Sequence, residues 1–430
     1  MNITIVGAGY VGLVTSASFA KLEHKVVCYD KDVERIRLLK SGVVPLFEPH
    51  LEELIQNEKN LSFTDDPAYS TKVSDVIFMC VGTPSQLDGS PDLSYIENAA
   101  IEIAKHIEGY KLIVEKSTVP IRTAEWIERT IKLYLHDKKA EFDVASNPEF
   151  LREGSGIEDF MNPDRIVIGV NSERAKNILL EIYKNFNCPK VITDVKTAEL
   201  IKHASNSFLA LKISYINMVA DFCEKVGVDV EKVAEGMGLD HRIGKDFLKA
   251  GIGWGGSCFP KDVKAFIKMG EDALCDFSLL KASLEINEKR IDVLFEKIRN
   301  ALWVIKGKTI AVLGLSFKPE SDDIRESAAV KIVPRLINSG ALLKLYDPKG
   351  MDNMKKLFSE SEQLYYAKDV YDAIEKSHAV LFLTEWEDFK KIDLAKVKDL
   401  MLTPIIIDGR NIFVPSYVKN FGFDYISIGR

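Results

Sequence analysis

The sequence predicts an α/β protein with two Rossmann-like, doubly wound parallel-sheet domains joined by a long helical connector. Three observations carry this. Short β-branched runs ending in polar or glycine-rich loops alternate with helix-period segments through residues 1–195, and again through 304–430. The first of these runs leads straight into Gly-x-Gly-x-x-Gly. Between the two stretches, residues 196–303 read as helix, broken by one glycine-rich loop.

A chain of 430 residues is too long for one ordinary core, so several domains are expected. A hydrophobic content of 46% is that of a globular protein. Net charge is −7, from 57 basic and 64 acidic residues, and no extended basic run marks a nucleic-acid or membrane surface. An anionic ligand therefore needs a local cluster of Lys and Arg. The six cysteines (Cys28, Cys80, Cys188, Cys223, Cys258, Cys275) form no Cys-x-x-Cys pair and no zinc-type spacing, so no metal is expected. With Met1 leading into a strand and no apolar run long enough to span a bilayer, the reading is a cytoplasmic protein with reduced thiols.

Ile3–Val6 is a β-branched run, followed by Gly7-Ala8-Gly9-Tyr10-Val11-Gly12, a helix over Leu13–Leu22, and a second strand over Lys25–Tyr29 ending in Asp30. In that context Gly7, Gly9 and Gly12 serve a tight turn, close approach to a pyrophosphate and close helix–strand packing, and the pyrophosphate lies on the helix N-terminus beside Tyr10 and Val11. Asp30, 18 residues after Gly12, is placed for ribose hydroxyls and favours NAD over NADP. Arg35 could contact the adenosine phosphates, which leaves some NADP use open. Asp75–Val81, Leu112–Glu115 and Phe142–Ala145 are further buried strands. Their carboxyl ends carry Thr83, Thr118, Glu149 and Glu153, where open α/β sheets bind ligands.

From about Lys196 to Val226 the apolar period is helical, and Lys202 and Asn206, four apart, share one side and can donate to an oxyanion or a sugar hydroxyl. A second helix covers Phe277–Trp303. Between them lies Gly251-Ile252-Gly253-Trp254-Gly255-Gly256-Ser257-Cys258-Phe259-Pro260-Lys261-Asp262. Glycines let the backbone approach a ligand closely, and a thiol follows at once, a reasonable way to present sulfur to a bound carbonyl. The helical segment also reads as a spine and dimer surface. In the last third, strands at Thr309–Leu315, Leu342–Tyr346, Ala379–Thr384 and Ile405–Asp408 repeat the first pattern without Gly-x-Gly-x-x-Gly, as expected of a relative that binds a different nucleotide. Lys318, Arg325 and Arg410 sit just past strand ends, where phosphates or a base could be held.

Over nearly its full length the chain resembles the UDP-glucose/GDP-mannose dehydrogenases. The motifs are GAGYVG (Gly7–Gly12), VGTPS (Val81–Ser85), NPEFLRE (Asn147–Glu153), KHASNSF (Lys202–Phe208), GGSCFPKD (Gly255–Asp262), FKPESDDIRES (Phe317–Ser327) and DGR (Asp408–Arg410), in the family's order. Phe259 after the cysteine favours the UDP-glucose branch, while Trp254 and Ser85 are mild departures. The resemblance implies a four-electron oxidation of a UDP-sugar at C6 by two NAD, through a thiohemiacetal and a thioester on Cys258. It implies that Lys202 and Asn206 stabilise the oxyanions, that Lys202 favours the thiolate, and that Asp262 positions or activates water. Thr118 and Glu149 assist the acid–base steps, with the true base left open. Glu153, Lys261 and Arg325 are implied cofactor contacts, as are Thr83 and Thr118. Glu149, Phe150, Leu151, Arg152, Phe247, Lys249, Gly255, Phe317, Lys318 and Arg410 are implied substrate contacts, with Lys202 and Asn206. Arg242 resembles the arginine that crosses into a neighbouring subunit, so a homodimer is expected. The same chemistry on GDP-mannose or a UDP-N-acetylhexosamine stays open, as does a non-catalytic nucleotide-sugar sensor. The implied division is an NAD-binding domain at 1–195, a central helical domain at 196–303 and a UDP-sugar-binding domain at 304–430.

Overall fold

The computed structural model describes residues 1–430. The chain forms two compact units, Met1–Ser205 with Lys264–Asp272, and Asn206–Val263 with Ala273–Arg430. Each is built on one sheet.

The first unit holds eight strands: β1 (Asn2–Val6), β2 (Lys25–Tyr29), β3 (Leu61–Thr64), β4 (Val76–Met79), β5 (Tyr110–Glu115), β6 (Glu141–Ser146), β7 (Ile166–Gly169) and β8 (Lys190–Thr193). Their order is β3-β2-β1-β4-β5-β6-β7-β8. Winding out from β1 to β3 and back through β4 makes a topological switch beside β1, the place where doubly wound sheets bind ligands. Register puts Val6 level with Tyr29 and with Met79, so Gly7, Asp30 and Cys80 leave the sheet at one edge. All neighbours are parallel except β6 and β7, which meet antiparallel at Ser146 and Gly169, so the sheet is the expected doubly wound parallel one with a single antiparallel junction. Side chains split with the period of a strand: Ile3, Ile5, Val76, Phe78, Leu112 and Val114 enter one buried cluster, and Val6, Ile77, Met79 and Ile113 the other. A sheet covered on both faces explains why these strands read as continuous apolar runs.

The second unit holds β9 (Thr309–Leu313), β10 (Leu342–Tyr346), β11 (Leu364–Tyr366), β12 (Ala379–Phe382), β13 (Ile405–Asp408) and β14 (Asp424–Ile426). The order β11-β10-β9-β12-β13-β14 repeats the first winding, and all neighbours are parallel. Ile310, Val312, Leu381 and Ile407 face one core cluster, and Ala311, Leu313, Phe382 and Ile406 the other.

The two long helices expected between the sheet-forming stretches of sequence span Val195–Val226 and Ser278–Leu302. The second stops one residue short of Trp303, whose φ of 55° ends the helical path. No helix is long and apolar enough to cross a membrane.

Candidate active site

In the first unit the three glycines of the β1 turn meet three different demands. Gly7 has φ +106°, and a Cβ there would lie 2.7 Å from the Cys80 carbonyl oxygen. Gly12 packs so closely that its Cβ would fall 1.8 Å from the Gly7 oxygen. Gly9, the N-cap of the Tyr10–Lys21 helix, has only open space where its Cβ would be. Tight turn, close packing and an open helix N-terminus are what a pyrophosphate cradle needs, so these residues fit a dinucleotide.

Asp30 leaves β2 with Oδ2 accepting from Ala8 N at 2.7 Å and Oδ1 accepting from Asp32 N at 2.9 Å. The carboxylate thus ties the glycine turn to the end of β2 and keeps lone pairs for further donors. Arg35 Nη1 donates to the Ala8 carbonyl at 3.3 Å, which also sets it beside the turn. Val11 is partly buried against the β1 core cluster. The Tyr10 hydroxyl turns away from the cradle, lying 2.9 Å from Glu48 Oε2 and 3.0 Å from the Arg152 carbonyl.

Glu48 has no part in the sequence reading, yet it organises this edge. It is buried and accepts from Gly154 N and Gly156 N, each at 2.6 Å, as well as from Tyr10. Burial still raises its carboxyl above the ordinary value. The first turn of the cofactor helix is thereby fastened to the loop that follows β6. An acid between Phe47 and Pro49 was the only available signal.

The Asn147–Glu153 loop brings Glu149 against Lys202, with Oε1 3.2 Å from Nζ and both side chains nearly inaccessible. Glu149 Oε2 also accepts from Leu151 N at 2.5 Å. The Lys202 ammonium stands 5.2 Å from the centre of the Phe150 ring, whose centre also lies 3.6 Å from the Arg165 guanidinium carbon. Thr83 donates to the Thr118 carbonyl at 3.0 Å, joining the loops after β4 and β5. Glu153 is half-buried on the same stretch. The Arg152 guanidinium is instead forked onto Asp159, 2.6 Å at its nearest.

In the second unit Cys258 precedes the Phe259–Asp272 helix, and its carbonyl accepts from Asp262 N at 2.9 Å. The sulfur is partly exposed at a helix start, where backbone dipoles favour negative charge. Cys28 and Cys80, by contrast, are fully buried, and burial pushes both thiols up to about 12. Ser257 Oγ lies 3.6 Å from the Cys258 sulfur. Asp262 is buried and engaged twice: Asn206 Nδ2 donates to it at 2.6 Å and Lys261 Nζ at 2.5 Å. The thiol, an amide, a carboxylate and an ammonium thus belong to one short helix start and the residue packed on it. Lys202 and Asn206 stand one turn apart on the Val195–Val226 helix.

The glycine loop ahead of the thiol is held by a buried polar frame that the sequence reading missed. Asn217 accepts from Gly251 N at 2.8 Å, and Arg290 donates to the Gly251 carbonyl at 3.1 Å. Asn287 accepts from Trp254 N at 2.7 Å and donates to Trp254 O at 2.9 Å. Arg410, expected at a phosphate, gives its guanidinium to the carbonyls of Gly253 (2.8 Å) and Leu383 (2.9 Å). Its Nε also lies 3.6 Å from Glu385. It is a brace in this arrangement, and burial lowers its proton affinity.

A Cβ on Gly255 would lie 2.3 Å from the Glu326 carbonyl, and one on Gly256 would lie 2.7 Å from the Phe317 ring. Phe247 has φ 62° and its ring centre is 6.1 Å from that of Phe259. Lys318 stands 5.6 Å from the Phe317 ring centre, and the Glu387 carboxyl is held down first by Lys390, then by Lys391 and last by exposed Lys249. Arg325 is forked onto Asp323, and exposed Arg242 onto Asp240.

Three family models match along the chain. Residues 1–187 match the NAD binding domain of the UDP-glucose/GDP-mannose dehydrogenase family, 196–289 its central domain and 311–415 its UDP binding domain. The protein named "UDP-glucose 6-dehydrogenase TuaD" of Bacillus subtilis (strain 168) is 46% identical over 432 residues, covering 100% of this chain and 93% of that one. A UDP-glucose dehydrogenase structure from the hyperthermophilic archaeon Pyrobaculum islandicum superposes with TM-score 0.92 at 37% identity, covering 99% of this chain and 96% of that one. A UDP-D-ManNAc dehydrogenase structure from Pyrococcus horikoshii gives TM-score 0.87 at 30% identity, covering 100% and 99%.

Proposed function

The chain belongs to the UDP-glucose/GDP-mannose dehydrogenase family, and from that premise we propose that it oxidises UDP-glucose to UDP-glucuronate in two NAD-dependent steps through Cys258. The observation that carries this is the partly exposed sulfur at a helix start, beside the Asn206–Asp262–Lys261 cluster and behind a braced glycine loop. Identity of 46% to a UDP-glucose enzyme, against 30% to a UDP-D-ManNAc enzyme, favours glucose as the sugar.

Gly7–Gly12 and Asp30 would hold NAD, which would supply the hydride acceptor for each of the two oxidations at C6. After the first, C6 is an aldehyde, which has no leaving group; attack by the Cys258 thiolate restores an alkoxide that can release a second hydride, leaving a thioester. Lys202 and Asn206 donate to the oxyanions, which are worth most where water is excluded, as it is from both side chains here. Asp262 aligns the water that breaks the carbon–sulfur bond, and Glu149 or Thr118 carries the proton. Arg152, Phe247, Lys249, Phe317 and Lys318 contact the UDP-sugar, and Glu153, Thr83, Lys261 and Arg325 the cofactor. Arg152 and Arg325 must then work through their backbone or exchange a carboxylate partner for the ligand.

The proposed domains are 1–195, 196–303 and 304–430. A homodimer forms on the Val195–Val226 helix, where Phe208, Tyr215, Met218, Phe222 and Val226 make one exposed apolar stripe, and Arg242 crosses to the partner. The experiment is NADH release from a panel of UDP-glucose, GDP-mannose and UDP-N-acetylhexosamines. UDP-glucose is expected to be preferred and to yield two NADH per sugar. One NADH per sugar would mean the reaction stops at the aldehyde, and no NADH from UDP-glucose would remove the assignment.

A further inference from the structure

We propose that Glu199 is a positioning residue: its carboxylate fastens the loop that carries Thr118 to the helix that carries Lys202. The consequence for turnover rests on the roles given to those two residues above.

The helix after this loop, Thr123–Tyr134, has no cap of its own. Its N-cap is Arg122, a non-glycine residue at φ 79° that offers no side-chain acceptor. The unpaired N–H groups of a helix start need an acceptor from elsewhere. Glu199 supplies it, with Oε2 2.6 Å from Arg122 N and Oε1 2.9 Å from Ala124 N. Glu199 stands on the Val195–Val226 helix just ahead of Lys202, and one turn on, His203 Nε2 lies 2.7 Å from the Val119 carbonyl. On its other side the loop is tied to the end of β4, where Ser117 donates to the Val81 carbonyl at 2.7 Å and Thr83 to that of Thr118 at 3.0 Å. Thr118 is thus held between two supports, one of which is the Glu199 carboxylate with His203 beside it.

That carboxylate can be switched. It is buried, and burial outweighs its two N–H bonds and raises its carboxyl to about 7. Facing it are Glu115 of β5, whose carboxyl its own burial raises well above the ordinary value, Glu125 on the Thr123 helix and Lys196 on its own helix. Glu125 is engaged by Lys196 at 2.6 Å and by Arg122 at 2.9 Å. A cleft of about 210 Å³ lined by Glu199, Asp194, Asn171 and Glu128 gives protons a route from solvent. Above pH 7 both oxygens accept; below it one carries a proton and holds its N–H poorly. The loop is therefore firm in weak base and loose in weak acid.

Glu199→Gln keeps one acceptor oxygen and turns an amide N–H₂ toward the other backbone donor. In NADH release from UDP-glucose, kcat of the variant is expected to fall about tenfold at pH 8, as small misplacements of reacting groups do, with KM for NAD within about twofold. The ratio of wild-type to variant kcat should shrink towards one at pH 6, and ionisations common to both proteins cancel in that ratio. A ratio that stays constant with pH would make Glu199 a stability residue only. Amide hydrogen exchange of residues 117–124, corrected for intrinsic rate and measured without substrate, tests the clamp separately. Protection should be lost in the variant at pH 8, and in the wild type between pH 8 and pH 6; equal protection in variant and wild type at pH 8 overturns the proposal. Should the wild type release no NADH from UDP-glucose, the activity falls while the exchange data still judge the clamp.

Discussion

Asn287→Ala removes one side chain and leaves two buried backbone groups of Trp254, its N–H and its carbonyl, without partners. Each such group costs about 1–3 kcal/mol, so the substitution should destabilise the second unit by roughly 2–6 kcal/mol. A second perturbation reaches the same contact from the opposite side. Gly253 has φ +92°, and a Cβ there would lie 2.4 Å from Asn287 Oδ1. Gly253→Ala therefore suffers about 1–2 kcal/mol of left-handed backbone strain and also displaces the Asn287 amide, forfeiting most of what Asn287→Ala forfeits. In the double variant the severe clash is gone, leaving the backbone strain and a 3.3 Å approach to Arg290 Cγ. The two losses should thus be strongly non-additive, with Gly253→Ala adding about 1–2 kcal/mol on top of Asn287→Ala and considerably more in the wild type. Urea unfolding of the four proteins gives the cycle directly, and kcat follows the same order because this loop leads to Cys258. Additivity within about 0.5 kcal/mol would refute the claim that Asn287 and Gly253 act through one contact.

Cys258→Ser should abolish net turnover while leaving NAD affinity within about twofold, since Cys258 is no part of the Gly7–Gly12 turn; unchanged NADH release would remove the sulfur from the mechanism. Asp30→Ala should weaken NAD at least about tenfold, by isothermal titration, and relax discrimination against NADP, because it loses the proposed ribose partner, the bond that holds the β1 turn at Ala8 and the one at Asp32. Glu48→Gln turns an amide N–H₂ toward Gly154 N or Gly156 N, and should loosen the loop after β6 by about 1–3 kcal/mol. Proteolysis around residues 147–156 at the wild-type rate would contradict that.

What the sequence disclosed and what it withheld divide along physical lines. Central strands such as Val76–Met79 and Ile310–Leu313 are buried on both faces, so they appear as unbroken apolar runs and are easily read. Leu61–Thr64 and Lys190–Thr193 lie at the two edges of their sheet, half open to solvent, and carry polar residues that resemble a loop. The glycine turn was legible because each glycine answers a local steric demand. The polar frame of the thiol loop was not: Asn287 and Arg290 sit in a helix where polar residues ordinarily read as surface, and only packing reveals them as buried. Arg152 and Arg325 were read as ligand cations, but the nearness of Asp159 and Asp323 in space decides where their guanidiniums rest. Charge alone carries no geometry.

The two sheets share one winding but not one chemistry, and the difference is visible at matching positions. Gly7 and Gly314 both turn the chain after the first strand of their sheet, one tight against Cys80 and the other against Thr384. After Gly7 the helix begins at once, at Tyr10; after Gly314 it is delayed to Ala328. No helix N-terminus therefore stands at the end of β9 to receive a pyrophosphate. The acid ending the next strand diverges in the same sense. Asp30 takes two N–H bonds and remains half-buried. Asp347 is buried and saturated by the backbone of Leu315, Ser316, Lys349 and Gly350, the Ser316 hydroxyl and the Trp386 indole. It has no lone pair to offer a ribose. The long segment that replaces the helix start packs instead on the thiol loop, where the Arg325 carbonyl accepts from Gly256 N at 2.9 Å and the Glu326 carbonyl crowds Gly255. The second sheet thus carries, in place of a dinucleotide cradle, a support of the Cys258 loop, and any ligand of Phe317 and Lys318 bears on that loop.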